Sequence, residues 1–125
     1  MGKLYTTYLA KMKQIPDTEV VAIIMRMPPF ISKESNVIHV PQLSPKKNLL
    51  AEYKADNDWD KFEEGFNNQM YNDPETMECI NHLIEALEHI DVYLVCCEKD
   101  HNVCHRSLVG KYIESLGYEW IEMEV

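Results

Sequence analysis

The run Val92-Tyr93-Leu94-Val95-Cys96-Cys97 is the strongest structural signal in the chain. It carries no charge, is rich in β-branched and aromatic side chains, and is too short for a buried helix, so it fits a strand covered on both faces. A polar stretch, Glu98 to Cys104, comes next. Leu108, Val109, Tyr112, Ile113 and Leu116 then recur at helical spacing, and Gly117 supplies the C-terminal stop. Tyr118 to Met123 returns to an extended pattern. Strand, helix and strand in succession form a βαβ unit, whose strands run parallel. Upstream, Val20-Val21-Ala22-Ile23-Ile24-Met25 reads as a second buried strand, halted by Pro28 and Pro29. Leu4 to Ala10, rich in Tyr and Thr, reads as a first strand, Pro29 to Ser35 as a surface loop, and Val37 to Val40 as a short additional strand.

Between the two buried strands the period changes to that of helices. Ser44-Pro45 has the form of a helix start with Ser44 as N-cap, and Leu49, Leu50 and Tyr53 give that helix an apolar side. Trp59, Phe62, Phe66 and Met70 mark a second helix over Trp59 to Tyr71. Asp73-Pro74-Glu75 opens a third, with Met77, Ile80, Ile84 and Leu87 as its stripe. The chain therefore reads as α/β: a single three-layer domain over residues 1–125, with a mostly parallel sheet and a C-terminal βαβ unit.

Composition narrows the functional classes. At 125 residues, 46% hydrophobic and 26% charged, the chain suits one globular domain. It contains no apolar run near the roughly 20 residues of a membrane span, and Met1 to Pro16 lacks the apolar core of a signal peptide. A cytoplasmic location is expected, with Cys79, Cys96, Cys97 and Cys104 reduced. A net charge of −9 disfavours a grip on duplex nucleic acid, while leaving room for a local basic pocket or for a protein partner docked on the acidic surface. The acidic runs Asp56 to Asp60 and Glu119 to Glu124 read as solvated faces, and Trp59, Phe62 and Phe66 as core.

In open parallel sheets ligands bind at the carboxyl ends of the strands. Two segments reach such a place: Met25 to Pro29, and Glu98 to Ser107. Arg106 and Ser107 fall at the start of a helix, where unpaired N–H groups and the dipole favour an anion, and Arg26 could point into the same crevice. The alternative for either arginine is a structural pair with one of the surplus acids. Cys104, near a helix N-terminus and an arginine, would have a lowered pKa and act as a nucleophile; otherwise it is a small buried residue. Glu98, the first polar residue after a buried strand, could serve as a general base or orient Arg106, and His105 could move protons. A phosphatase-type loop is excluded, because Cys97 to Arg106 is too long, Cys104 to Arg106 is too short, and the loop has no glycine. Cys97, His101, Cys104 and His105 have zinc-ligand chemistry but no Cys-x-x-Cys knuckle, so no metal or cofactor is assigned. His39, His82 and His89 stand isolated.

Leu94-Val95-Cys96-Cys97-Glu98-Lys99 followed by Cys104-His105-Arg106-Ser107-Leu108 resembles the signature of the family called Domain of Unknown Function 488. Members of that family carry a strand ending in Cys-x-Glu, a short loop, and Cys-His-Arg opening a helix. Cys96 and Glu98 match the first part, and Cys104, His105 and Arg106 the second. Upstream, Leu4-Tyr5-Thr6-Thr7-Tyr8, Arg26 with Pro28, Leu43-Ser44-Pro45, and the aromatic helix Trp59 to Tyr71 extend the likeness over most of the chain. The region between the second strand and the Ser44 helix is shorter than the family pattern. The resemblance implies a compact α/β fold with these polar residues on one side, supplies no reaction, and is compatible with a bacterial or bacteriophage gene.

Three readings of function result. The first is an anion-binding pocket, with catalysis left open, formed by Arg26, Glu98, Cys104, His105, Arg106 and Ser107, with Thr6 at the rim; its ligand would be a nucleotide, nucleoside or other phosphorylated small molecule. The second is a non-enzymatic acidic interaction protein, for example an inhibitor of a host factor. A structural zinc domain is a third reading.

Overall fold

The computed structural model describes residues 2–16, 18–24, 36–96, 100 and 103–123. Five strands pair in parallel: β1 (Leu4–Tyr8), β2 (Val20–Ile23), β3 (Val37–His39), β4 (Val92–Cys96) and β5 (Trp120–Glu122), in the order β3-β2-β4-β1-β5. The two uncharged runs, β4 and β2, sit side by side in the middle, where both faces must be covered. β4 is flanked by β1 and β2, and the helix leaving β4 crosses β1 to deliver β5 on its far side. The C-terminal βαβ unit is thus present with β1 inserted between its strands.

Alternation along the strands sorts side chains to two unequal layers. Leu4, Ala22, Ile24, Val92, Leu94 and Cys96 belong to the main core, shared with Phe62, Phe66, Met70, Leu83, Leu87, Leu108, Val109 and Ile113. All four α-helices contribute to this side: α1 (Lys47–Asp56), α2 (Trp59–Asn72), α3 (Pro74–Leu87) and α4 (His105–Ser115). The opposite face is thinner. There Val21 and Val95 pack under Ile15 and the 3₁₀ segment Leu9–Gln14, and the rings of Tyr5 and Tyr93, register partners in β1 and β4, stack at 4.6 Å.

Two local readings are corrected. β1 ends at Tyr8, because Leu9 and Ala10 turn into the 3₁₀ segment that carries the chain over the second face. Ser44 is not a helix N-cap. Its hydroxyl donates to the Pro41 carbonyl at 2.5 Å, closing a 3₁₀ turn over Pro41–Leu43, and the helix starts at Lys47. The α1 start is instead held from α2, where Gln69 accepts from the Lys46 N–H at 3.0 Å and donates to the Ser44 carbonyl at 2.9 Å. The other two starts are capped locally: Asp58 accepts from the Lys61 N–H and Asp73 from the Thr76 N–H.

α4 lies close to β5 because Gly110 has no side chain. A Cβ there would come within 2.6 Å of the Trp120 Nε1, in a ring fixed by its hydrogen bond to Thr6. Alanine at a helix interior normally gains about 1 kcal/mol over glycine. Here overpacking of about 1–3 kcal/mol outweighs it. Gly110→Ala is expected to lower the urea midpoint and to quench or shift Trp120 fluorescence; an unchanged or raised midpoint would refute the close approach.

Candidate functional site

β4 passes its chain toward β5, whereas β2 passes its chain the other way, toward β3. The carboxyl ends of these two neighbouring strands therefore form a topological switch point, the place where open α/β sheets leave a crevice. Three described residues with reactive side chains meet there: Cys96 at the end of β4, Cys104 just before α4, and His105, its first residue.

His105 ties the two sides together. Its Nε2 lies 2.7 Å from the carbonyl of Ile24, the residue after β2, and the Ile24 N–H in turn donates to the Val95 carbonyl of β4 at 2.9 Å. A carbonyl only accepts, so Nε2 carries the proton and the neutral ring keeps its lone pair on Nδ1. Nδ1 is 3.8 Å from the Cys104 sulfur. Phe66 packs edge-on against the imidazole at 5.6 Å. Burial pushes the His105 pKa down to about 4, against the opposing pull of the Ile24 carbonyl, and the Arg106 charge lowers it further. The ring is thus neutral near pH 7. Cys104 departs from the expectation of an acidified thiol: burial raises its pKa above the usual thiol value, and neighbouring Cys96 raises it further, outweighing Arg106.

Arg106 is fully buried. Its Nε and Nη2 donate to the two carboxylate oxygens of Glu122 at 3.1 and 2.9 Å, and Nη1 donates to the Cys96 sulfur at 3.1 Å. Burial alone would disfavour its charge, but the Glu122 hydrogen bonds hold its pKa above the ordinary value. Thr6, the register partner of Glu122, donates to Glu122 Oε1 at 2.7 Å and accepts from Trp120 Nε1 at 2.8 Å. Thr6 therefore lies in the interior beneath the site, with no exposure, and does not form a rim. Ser107 is buried as well, and its N–H bonds the Cys104 carbonyl at 3.1 Å.

The fold thus brings together Thr6, Cys96, Cys104, His105, Arg106 and Ser107, and turns the guanidinium of Arg106 toward an acid of β5. Arg26 and Glu98, like Cys97 and His101, lie outside the described residues. Glu122 and Trp120 are central, although Glu122 falls in the acidic run that reads as a solvated face. Their signal was period two: in a strand, Trp120 and Glu122 share a face, and an aromatic on that face marks it as the packed one.

The chain is thus a parallel α/β domain that carries a thiol–imidazole cluster over a buried Arg–Glu pair at the carboxyl edge of its sheet. The family model described as DUF488-N3a, "Active DUF488-N3 subclade", matches residues 4–117, and the chain belongs to the Domain of Unknown Function 488 family. Searches of curated proteins and of solved structures return no match.

Proposed function

We propose that this protein binds a small phosphorylated molecule, a nucleotide or nucleoside derivative, in the crevice between the carboxyl ends of β2 and β4. The observation that carries this reading is the His105–Ile24 hydrogen bond, which spans the switch point and leaves an unprotonated ring nitrogen beside it. In this reading Arg26 and the positive N-terminal turn of α4 hold the anion. Glu98 and His105 exchange protons with the ligand, and Cys104 sits against the reacting group. Arg106, engaged by Glu122, positions Cys96 and the turn and makes no direct contact with the anion. A cytoplasmic site fits thiols that must stay reduced.

Thermal shift against a panel of mono-, di- and triphosphate nucleotides and nucleosides tests it. A ligand at a hundred times its Kd stabilises by about 2.7 kcal/mol, a rise of several degrees in Tm for a domain of this size. Arg26→Ala and His105→Ala should abolish the rise while folding normally by circular dichroism. No shift with any member of the panel, or the same shift in both variants, would overturn the proposal.

A further inference from the structure

The geometry points to a soft divalent metal site, of the zinc class, formed by Cys96 Sγ, Cys104 Sγ and His105 Nδ1. The three donor atoms lie within 4.8 Å of one another, and Cys104 Sγ and His105 Nδ1 are 3.8 Å apart. Metal–sulfur bonds of about 2.3 Å and metal–nitrogen bonds of about 2.0 Å put tetrahedral ligands roughly 3.5–3.8 Å apart, so the donors need to contract by no more than about 1 Å. Two thiols and an imidazole are a donor set that borderline-soft ions prefer.

Independent support comes from the groups around the donors. A histidine that ligates through one ring nitrogen usually donates its other N–H to a carbonyl or carboxylate, which fixes the tautomer. His105 already does so through Nε2 to the Ile24 carbonyl, leaving Nδ1 as the donor on the Cys104 side. A coordinated thiolate gains from an N–H donor on its sulfur, and Arg106 Nη1 lies 3.1 Å from Cys96. The charge of Arg106 is in turn balanced by Glu122. Binding would convert both thiols to thiolates, releasing two protons to solvent, so the ion and the two sulfurs are together neutral.

Three protein ligands are the number found in catalytic zinc sites, where the fourth position takes water or substrate. The site thereby deepens the proposed function, giving the crevice a position for a ligand oxygen; with the ion bound, Cys104 and His105 serve as its ligands and proton exchange with the bound molecule falls to Glu98 alone. Its test needs no nucleotide, so the two can fail separately.

The full chain is purified without chelator for metal analysis, then stripped and titrated with Co²⁺. The expected result is close to one zinc per chain and, with cobalt, a thiolate-to-metal charge-transfer band with intense tetrahedral d–d absorption. Cys104→Ser and Cys96→Ser should each reduce Co²⁺ affinity at least 100-fold. Cys79→Ser on α3 should leave it unchanged. If either serine variant unfolds, His105→Gln provides the reading, with an expected loss of at least tenfold. A folded wild-type chain that takes up neither ion would overturn the site. So would binding that survives Cys96→Ser but is lost in Cys97→Ser or His101→Ala, since a different ligand set would then hold the ion.

Discussion

Arg106→Ala should cost about 3–5 kcal/mol of stability, a large part of the roughly 5–15 kcal/mol that a domain of this size possesses. The loss comes less from a missing attraction than from what is left behind. Glu122 is mostly buried, and without the guanidinium its carboxylate keeps, among the described residues, the hydrogen bond from the Thr6 hydroxyl. Cys96 loses the Arg106 N–H at the same time. Arg106→Lys should recover little, because an ammonium cannot serve both carboxylate oxygens and the sulfur from one planar fork. Replacing both partners, Arg106→Met with Glu122→Met, should recover most of the loss, since a buried ion pair contributes little net stability over well-packed apolar side chains. Urea denaturation of the three variants beside the wild type decides it. A single Arg106→Ala loss below about 1 kcal/mol, or a double variant no better than the single, would show that the pair is not the buried link described here.

Phe66→Ala is expected to be equally severe, at about 3–5 kcal/mol. Phe66 is wholly buried in α2, stacks with Phe62 at 6.3 Å, and meets the His105 ring edge-on. Its removal opens a cavity under α4 and frees the imidazole on one side. The variant should therefore show both a lowered denaturation midpoint and altered His105 imidazole resonances by NMR. Phe66→Leu, which keeps most of the volume, should lose much less stability while still disturbing those resonances. A stability loss in Phe66→Ala with unchanged His105 signals would separate the core from the site and contradict this packing.

Much of the fold was legible because its signals are local. Uncharged runs at β2 and β4, a three-and-four spacing at Trp59, Phe62, Phe66 and Met70, and the Asp73-Pro74 start each reflect a period or cap that a few neighbouring residues specify. Where a local signal competed with a partner distant in sequence, the reading failed. Ser44 looked like a cap, but its hydroxyl closes a turn on Pro41 while Gln69, contributed by another helix, serves the α1 start. For Cys104 the sequence leaves two readings, an acidified thiol at a helix N-terminus and a small buried residue; packing among Cys96 and the core raises its pKa, in line with the second.

Sequence pattern alone was enough for the parallel α/β architecture and for the crowding of Cys104, His105 and Arg106 at the start of α4, since spacing, burial period and chain order are written into consecutive residues. Only the tertiary structure chose the partners. It inserted β1 between β4 and β5, and so set Thr6 beside Glu122. It gave Arg106 to Glu122, and it linked His105 to Ile24 across the sheet. Those choices depend on strand order, and in a parallel sheet strand order is fixed by which long-range pairings bury the most apolar surface and satisfy every buried charge together. No short stretch of chain carries that information.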